Sequence, residues 1–367
     1  MEGSEHLSVL AGRPVVLKAE YLQRTGSFKI RGAYNRLSLL SPAERKRGVV
    51  AVSAGNHAQG VALAAQLLGI QATVFMPEST PLAKVAATQG YGATVRLEGQ
   101  RYEDAFAAAI EEQARGHATF IHPFDDEAVI AGQGTIGCEI VDQLPGVEAV
   151  IVPIGGGGLM AGIATAAKAL KRDVRVFGVE ASAVTEHHAT IADGINVSLQ
   201  GRLTQPAIEQ LVDDIVHVEE EDISRAIVML LERAKLVVEG AGAVGLAALL
   251  GGQLKLPGQQ VAVVLSGGNI DVNLMARIIE HGLATAGRYL MFETWLPDQP
   301  GELLKVLRVL LDERVNILSV EHRRPASFPE VEVMLTVETR DFAHGERLLD
   351  QLRRHSYRVE RLEPRRS

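Results

Sequence analysis

The chain has 367 residues and a formal net charge of −8 at pH 7, with apolar residues at 47% and aromatic residues at 4%. This length predicts two or three domains with a large core, and the dispersed basic residues argue against nucleic acid or an anionic membrane as a partner. No run of about 18 apolar residues predicts a membrane span, and a single cysteine, Cys138, excludes an intrachain disulfide, so we expect a cytoplasmic protein.

Hydrophobic periodicity predicts strands that alternate with helices along most of the chain. The predicted strands cover residues 15–18, 48–52, 72–76, 94–97, 119–121, 149–154, 174–179 and 261–265. The predicted helices cover residues 82–88, 102–115, 127–143, 159–170 and 222–238, with a last one ending near 283. A series of βα units predicts an α/β fold whose mainly parallel sheet is covered by helices on both faces.

The pattern changes near Gly287. Beyond it, residues 289–295, 316–322, 331–338 and 357–362 are predicted strands, and residues 301–313 and 341–354 are predicted helices. This βαββαβ order is the ferredoxin-like arrangement, so residues 288–367 are expected to form a separate small domain.

Lys29 is the first residue with a candidate chemical role. Gly26 is interpreted as a turn and Ser27 as an N-cap, so a helix should begin at about Phe28 and bury Ala33, Leu37 and Leu40. Lys29 would then lie in the first turn, where the helix dipole disfavours a cation. Either it is a solvated helix-start lysine, or it is an amine of lowered pKa that forms a Schiff base.

Three Gly-rich turns each follow an apolar strand: residues 53–57 (SAGNH), 155–158 (GGGG) and 266–269 (SGGN). Ligands of open α/β sheets bind outside the carboxyl ends of the strands, so the three turns can form one site. Gly155–Gly158, followed by a helix, can bind a phosphate through backbone N–H groups. Two alternatives remain open for this turn: a tight turn without a ligand, and a dinucleotide fingerprint formed by Gly156, Gly158 and Ala161 with Glu180.

These motifs carry a family resemblance. The segments TGSFKIRGA, SAGNHAQG, GGGGL and SGGN resemble, in order and placement, the threonine and serine dehydratases of the pyridoxal-phosphate fold type II family. The segment starting DQPGELLKVL resembles an ACT regulatory domain. The resemblance implies a two-subdomain catalytic domain at 1–287, in which a smaller subdomain (about 23–125) is inserted in a larger one (1–22 and 126–287), and an ACT domain at 288–367.

The resemblance also implies roles for individual residues. Lys29 would hold pyridoxal phosphate as a Schiff base and later move the substrate's proton. The cofactor-binding set would be Lys29, Phe28, Asn56, Gly155, Gly156, Gly157, Gly158, Leu159, Glu239 and Ser266, with Asn56 at the ring hydroxyl and Ser266 at the pyridine nitrogen. Glu239 precedes a predicted Gly240–Gly245 turn and is otherwise a solvated helix-end acid. The substrate-binding set would be Ser53, Ala54, Asn56 and His57.

The implied reaction is β-elimination and deamination of L-threonine to 2-oxobutanoate and ammonia, with L-serine as a secondary substrate. A serine racemase of the same family needs a second proton carrier directly after Ser53. That position is Ala54, which cannot carry a proton, so elimination is favoured over racemisation. Two further alternatives are a catalytically silent amino-acid sensor and a nicotinamide-dependent oxidoreductase.

The remaining expectations concern ligands and assembly. Glu180, Glu186 and the carbonyl of Val184 lie where relatives bind a cation, such as Mg²⁺ or K⁺. The loop at 297–303, with His322, Arg323 and Arg324 nearby, resembles the effector-binding turn of ACT domains, so isoleucine or valine is expected to change the rate. The family resemblance further implies a homodimer or homotetramer.

Overall fold

The computed structural model describes residues 1–185, 188–197, 201–254, 256, 260–324 and 330–362. The chain divides into two compact units, Met1–Asp271 and Val272–Ser367. Within the described residues, no helix is long and apolar enough to cross a membrane.

Two sheets organise the first unit. Its strands are β1 (Glu2–Gly3), β2 (Val15–Ala19), β3 (Val49–Val52), β4 (Ala72–Met76), β5 (Thr94–Leu97), β6 (Thr119–Phe120), β7 (Ala149–Pro153), β8 (Arg175–Ala181), β9 (Asp214–Val218) and β10 (Val261–Leu265). The larger sheet has the order β1-β2-β10-β7-β8-β9 and is parallel except for β1. The smaller sheet, β5-β4-β3-β6, is parallel throughout. The predicted mainly parallel α/β fold is therefore confirmed.

Helices connect these strands. They are α1 (Glu5–Ala11), α2 (Lys29–Ser38), α3 (Pro42–Arg47), α4 (Asn56–Leu68), α5 (Leu82–Gly90), α6 (Tyr102–Gly116), α7 (Glu127–Gln143), α8 (Gly158–Leu170), α9 (Ser182–Thr185), α10 (Thr204–Leu211), α11 (Glu220–Met229) and α12 (Gly240–Leu250). All residues of β3, β7 and β10 are buried, as expected for strands covered on both faces. The turn after each of these strands carries one of the three Gly-rich motifs.

Helix α2 packs closely because glycines face it. A Cβ on Gly60 of α4 would lie 3.0 Å from the carbonyl carbon of Lys29, and one on Gly132 of α7 would lie 2.6 Å from the carbonyl oxygen of Arg31. The Arg31 guanidinium also forms paired bonds to the carboxylates of Glu20 and Glu139, at 2.6–2.8 Å. The start of α2 is thus held on several sides, and a bulkier residue at either glycine would displace it.

Three local predictions were wrong. The N-cap of α2 is Phe28, without a side-chain cap, and the buried Ser27 hydroxyl has no partner among the described residues. Gly240–Gly245 is not a turn, because these residues form the first half of α12 and Glu239 is its N-cap. The helix predicted to end at residue 238 is shorter. Helix α11 ends at Met229, and one π-helical turn, Leu230–Ala234, follows it.

The second unit contains helix α13 (Val272–Thr285) followed by β11 (Tyr289–Pro297), α14 (Glu302–Asp312), β12 (Asn316–Arg323), β13 (Glu330–Glu338), α15 (Phe342–Arg354) and β14 (Val359–Leu362). Its sheet is antiparallel with the order β12-β13-β11-β14. From β11 onward this is the βαββαβ order that the sequence predicts. Alternate residues of β11 and β13, including Phe292 and Leu335, are buried in its core.

Candidate active site

The turn before Lys29 is joined to the SGGN turn by backbone contacts. The N–H of Phe28 donates to the Ser266 carbonyl at 3.0 Å, and the N–H of Gly268 donates to the Gly26 carbonyl at 2.9 Å. Between these bonds, Ser27 forms a β-bridge with Gly267. Two segments far apart in sequence are therefore hydrogen-bonded to each other directly before the first turn of α2.

Lys29 is the first residue of α2 and keeps part of its surface accessible. Its Nζ donates to the carbonyl oxygen of Pro123 at 2.8 Å and lies 5.2 Å from the centre of the Phe28 ring. Burial lowers the pKa of this amine to about 8, although the nearby Glu239 carboxyl acts in the opposite direction. Loss of hydration thus outweighs the neighbouring charge, and the amine gives up its proton far more easily than a surface lysine.

His57 lies on α4 and is buried, with Nε2 2.9 Å from the carbonyl oxygen of Ile121. Since a carbonyl only accepts, Nε2 carries the hydrogen and Nδ1 is left as an acceptor. Burial lowers the pKa of His57 to about 3, and the charge of Lys29 lowers it further in the same direction. His57 therefore stays neutral in the physiological range and adds no positive charge to the site.

Asn56 links two of the Gly-rich turns to Glu239. Its Nδ2 donates to Glu239 Oε1 at 2.7 Å, and its Oδ1 accepts from Asn269 Nδ2 at 2.6 Å. Burial raises the pKa of Glu239 to about 7, and the charge of Asp193 adds to this effect while the bond from Asn56 opposes it. The interpretation of Glu239 as a solvated acid is thus wrong, because only 4% of its surface is exposed.

The four glycines at Gly155–Gly158 are needed by packing. A Cβ on Gly156 would lie 2.4 Å from the Phe124 ring. Gly157 has a positive φ of 89°, and its Cβ would lie 2.6 Å from Thr204 Oγ1. Close packing alone can therefore explain a glycine at these positions.

The backbone N–H groups of the same loop are stronger evidence for a bound ligand than its glycines are. Among the described residues, no carbonyl or side chain accepts from the N–H groups of Gly155–Gly158 or of Leu159. They sit where the buried strand β7 ends and the 13-residue helix α8 begins. Buried N–H groups that point to no protein acceptor at a helix start form a receptor for an anion such as phosphate.

The structure joins most of the predicted site residues into one neighbourhood. Through the contacts above, Lys29, Asn56, Glu239 and the turn that starts at Ser266 lie together. Ser53, Ala54 and Asn56, at and just before the start of α4, keep part of their surface exposed. The predicted cofactor and substrate sets are thus spatially compatible, and the role of each residue stays a prediction.

The cation site is different. Glu180 Oε2 lies 3.2 Å from His217 Nε2, and Val184 is buried on α9, whereas Glu186 lies outside the described residues. In the described part of the chain, no group of three or more His, Cys, Asp or Glu side chains comes together to hold a metal. The cation stays a prediction.

Sequence reasoning missed several residues that contribute to the site. These are Lys84, whose Nζ pairs with Asp193 at 3.1 Å, the carbonyl of Pro123, the ring of Phe124 and the amide of Asn269. Asn269 stands within the SGGN motif, so the motif itself was the available signal. The other residues could not be recognised from the sequence. Nothing in the residues next to Pro123 or Lys84 indicates that the Pro123 carbonyl or the Lys84 side chain contributes to a site.

Comparisons with known proteins point in one direction. Residues 2–267 match the model of the family described as "Pyridoxal-phosphate dependent enzyme". The chain is 48% identical to an L-threonine ammonia-lyase of Thermotoga maritima, over 97% of this chain and 93% of that protein. Among solved structures, the processed form of threonine deaminase isoform 2 from Solanum lycopersicum matches with a TM-score of 0.73 and 38% identity, covering 76% of this chain and 82% of that one. Maize serine racemase matches with a TM-score of 0.71 and 34% identity, covering 77% and 92%.

Proposed function

Because this chain belongs to the pyridoxal-phosphate dependent enzymes, we propose that it is a lyase that converts L-threonine to 2-oxobutanoate and ammonia. The observation that carries the chemistry is the buried Lys29 amine, whose pKa is lowered to about 8 within a site formed by three strand-end turns. The choice of threonine is supported by the 48% identity, over 97% of the chain, to an enzyme named for that reaction.

The residues fit pyridoxal phosphate. The free N–H groups at Gly155–Gly158 suit its phosphate, the Lys29 amine suits its aldehyde, and the buried hydroxyl-bearing Ser266 suits its pyridine nitrogen. When bound, pyridoxal phosphate supplies an electron-withdrawing ring that makes the hydrogen on the substrate's α-carbon acidic. A serine hydroxyl at the nitrogen does not force a proton onto the ring, which favours prompt loss of the β-hydroxyl.

We assign removal of the proton on the substrate's α-carbon to Lys29. Its lowered pKa lets the released amine accept the proton from the α-carbon at neutral pH. His57 is neutral and its Nε2 hydrogen points to the Ile121 carbonyl, so we assign the substrate carboxylate to the N-terminal N–H groups of α4 and the Ser53 hydroxyl. Ala54 offers no proton to the opposite face of the substrate, and elimination is therefore favoured over racemisation.

An assay with both hydroxy amino acids tests this function. We expect L-threonine to give 2-oxobutanoate and ammonia, and L-serine to give pyruvate and ammonia at a lower kcat/KM. Formation of D-serine without an oxo acid would support a racemase, and reduction of a nicotinamide would support an oxidoreductase. A purified protein that neither binds added pyridoxal phosphate nor releases ammonia would leave the silent sensor as the better interpretation.

We also propose that residues 288–367, which belong to the second unit, form an ACT-type regulatory domain. A cavity of about 340 Å³ opens beside the loop at 297–303, with His322, Arg324 and Val331 completing its wall. Two bonds of 3.1 Å join the Arg324 guanidinium to the Asp298 carboxylate at its rim. An α-amino acid carries one carboxylate and one ammonium, so this ion pair provides a matching partner for each.

Arg324→Ala in the full-length enzyme tests the regulatory site. Isoleucine or valine should change the rate of threonine deamination in the wild type, and the ratio of rates with and without effector should return to about one in the variant. Arg361→Ala is the matched control, because Arg361 is an exposed arginine paired with Glu346 away from the cavity wall. A response that persists unchanged in Arg324→Ala would rule out this site for the effector.

A further inference from the structure

Asn269, the last residue of the SGGN turn, makes two hydrogen bonds from the same side-chain nitrogen. Nδ2 donates to the Thr25 carbonyl at 2.7 Å and to Asn56 Oδ1 at 2.6 Å. Both hydrogens of this amide nitrogen are therefore in use. The Thr25 carbonyl can only accept a hydrogen bond, so the atom that faces it must be the Asn269 nitrogen. This determines the orientation of the Asn269 amide.

The orientation of Asn56 follows from that of Asn269. Because Asn269 presents its nitrogen, Asn56 must present its oxygen, and the Asn56 nitrogen then faces Glu239 Oε1 at 2.7 Å. One hydrogen of Asn56 Nδ2 is used by Glu239. Within the described part of the chain, the second has no acceptor, which leaves Asn56 with a single donor of fixed direction.

The surroundings leave little room for another arrangement. A Cβ on Gly26, which has a φ of 70°, would lie 2.5 Å from Asn269 Oδ1. A Cβ on Gly267 would lie 2.3 Å from Glu239 Oε1 and 3.2 Å from Asn56 Nδ2. Glycine at both positions allows the three polar side chains to approach the backbone closely enough to form the chain.

We propose that Asn269 is a positioning residue, which holds the Asn56 amide in the one orientation that leaves an N–H to donate to the ring oxygen of pyridoxal phosphate. This inference rests on the proposed function, since it assumes that cofactor. A donor at that atom stabilises the ionised ring oxygen and so favours the form that absorbs visible light. Asn269 acts only through Asn56.

Asn269→Asp tests the inference, because a carboxylate of the same shape can accept but cannot donate. Asn56 then turns its nitrogen towards residue 269, so its second N–H no longer points in the original direction. We expect the Kd for pyridoxal phosphate, measured on protein stripped of cofactor, to rise about tenfold. At one fixed pH, the ratio of visible to near-ultraviolet absorbance of the bound cofactor should fall.

The matched control is Asn35→Asp on α2, since Asn35 Nδ2 also donates to a backbone carbonyl, that of Ala128, at 2.7 Å. It should leave the absorbance ratio unchanged. Asn269→Ala, which removes the tether without adding charge, should also lower the ratio and is decisive if Asn269→Asp does not fold. An unchanged ratio in folded Asn269 variants would overturn the inference, even with weaker binding. A wild type that binds no pyridoxal phosphate would overturn the proposed function instead.

Discussion

Lys29→Ala is expected to lower the turnover of L-threonine by roughly 10³-fold or more, because one amine serves as both cofactor anchor and proton carrier. The variant should also be purified without the visible absorbance of a cofactor joined to lysine. Lys18 cannot replace it, because Lys18 is buried and its ammonium is paired with the carboxylates of Glu139 and Glu20. The measurement is steady-state release of 2-oxobutanoate together with the absorbance spectrum of the purified protein.

Lys46→Ala, at an exposed position on α3, is the control and should retain both turnover and colour. Borohydride, which reduces an imine to a stable amine, should label Lys29 in the wild type and nothing equivalent in Lys29→Ala. If Lys29→Ala kept a tenth or more of the turnover, the proton carrier would have to be another residue. The assignment would then be wrong even if the substrate were right.

The pKa of Lys29 adds a pH dependence to this prediction. Only the neutral amine attacks an aldehyde, and burial lowers the pKa to about 8. The rate at which stripped protein captures pyridoxal phosphate should therefore rise about tenfold per pH unit below 8 and level off above it. An unperturbed lysine would let the rate rise to about pH 10.4, so stopped-flow capture between pH 6 and 10 distinguishes the two.

The parts of the site that the sequence predicts well are contiguous in the chain. GGGG and SGGN follow β7 and β10, which are neighbouring parallel strands of the larger sheet, so their convergence could be expected from pattern alone. SAGNH follows β3 of the smaller sheet, so its approach to the other two turns depends on tertiary packing. A cation in the first turn of a helix made Lys29 only a candidate, and its role was assigned through the family resemblance of the surrounding motifs. Local rules are thus informative where the motif and the strand that positions it are neighbours.

Long-range contacts explain what was missed. Asn56 and Glu239 are 183 residues apart, and Asn56 and Asn269 are 213 apart. No local sequence pattern therefore shows that the three side chains are hydrogen-bonded to one another. Serine is a residue type that often caps helix N-termini, but Ser27 forms a β-bridge with Gly267 and does not cap α2. The Pro123 carbonyl has no side-chain signature at all. These features arise from contacts between residues that are distant in the sequence, so local sequence patterns do not predict them.

Gly157→Ala is expected to weaken pyridoxal phosphate binding by about 10- to 100-fold. Gly157 has a φ of 89°, where a side chain costs about 1 to 3 kcal/mol, and its Cβ would lie 2.6 Å from Thr204 Oγ1 and 2.8 Å from Ile208 Cδ1. The loop must move to relieve this contact. Because a phosphate is held by several N–H groups aimed at one point, even a small shift of the loop removes part of their combined effect.

Gly90→Ala separates loop geometry from a general effect of replacing glycine. Gly90 lies in α5, has no heavy atom within 4 Å of the added Cβ and no positive φ, so this variant should keep the wild-type Kd and gain about 0.5 to 1 kcal/mol of stability. The comparison also tests why the loop is made of glycine. If Gly157→Ala lowers thermal stability but leaves the Kd unchanged, contact with Thr204 and Ile208 is the whole reason for glycine at position 157. If instead the Kd for pyridoxal phosphate rises by more than the loss of stability explains, the N–H groups of this loop bind the phosphate.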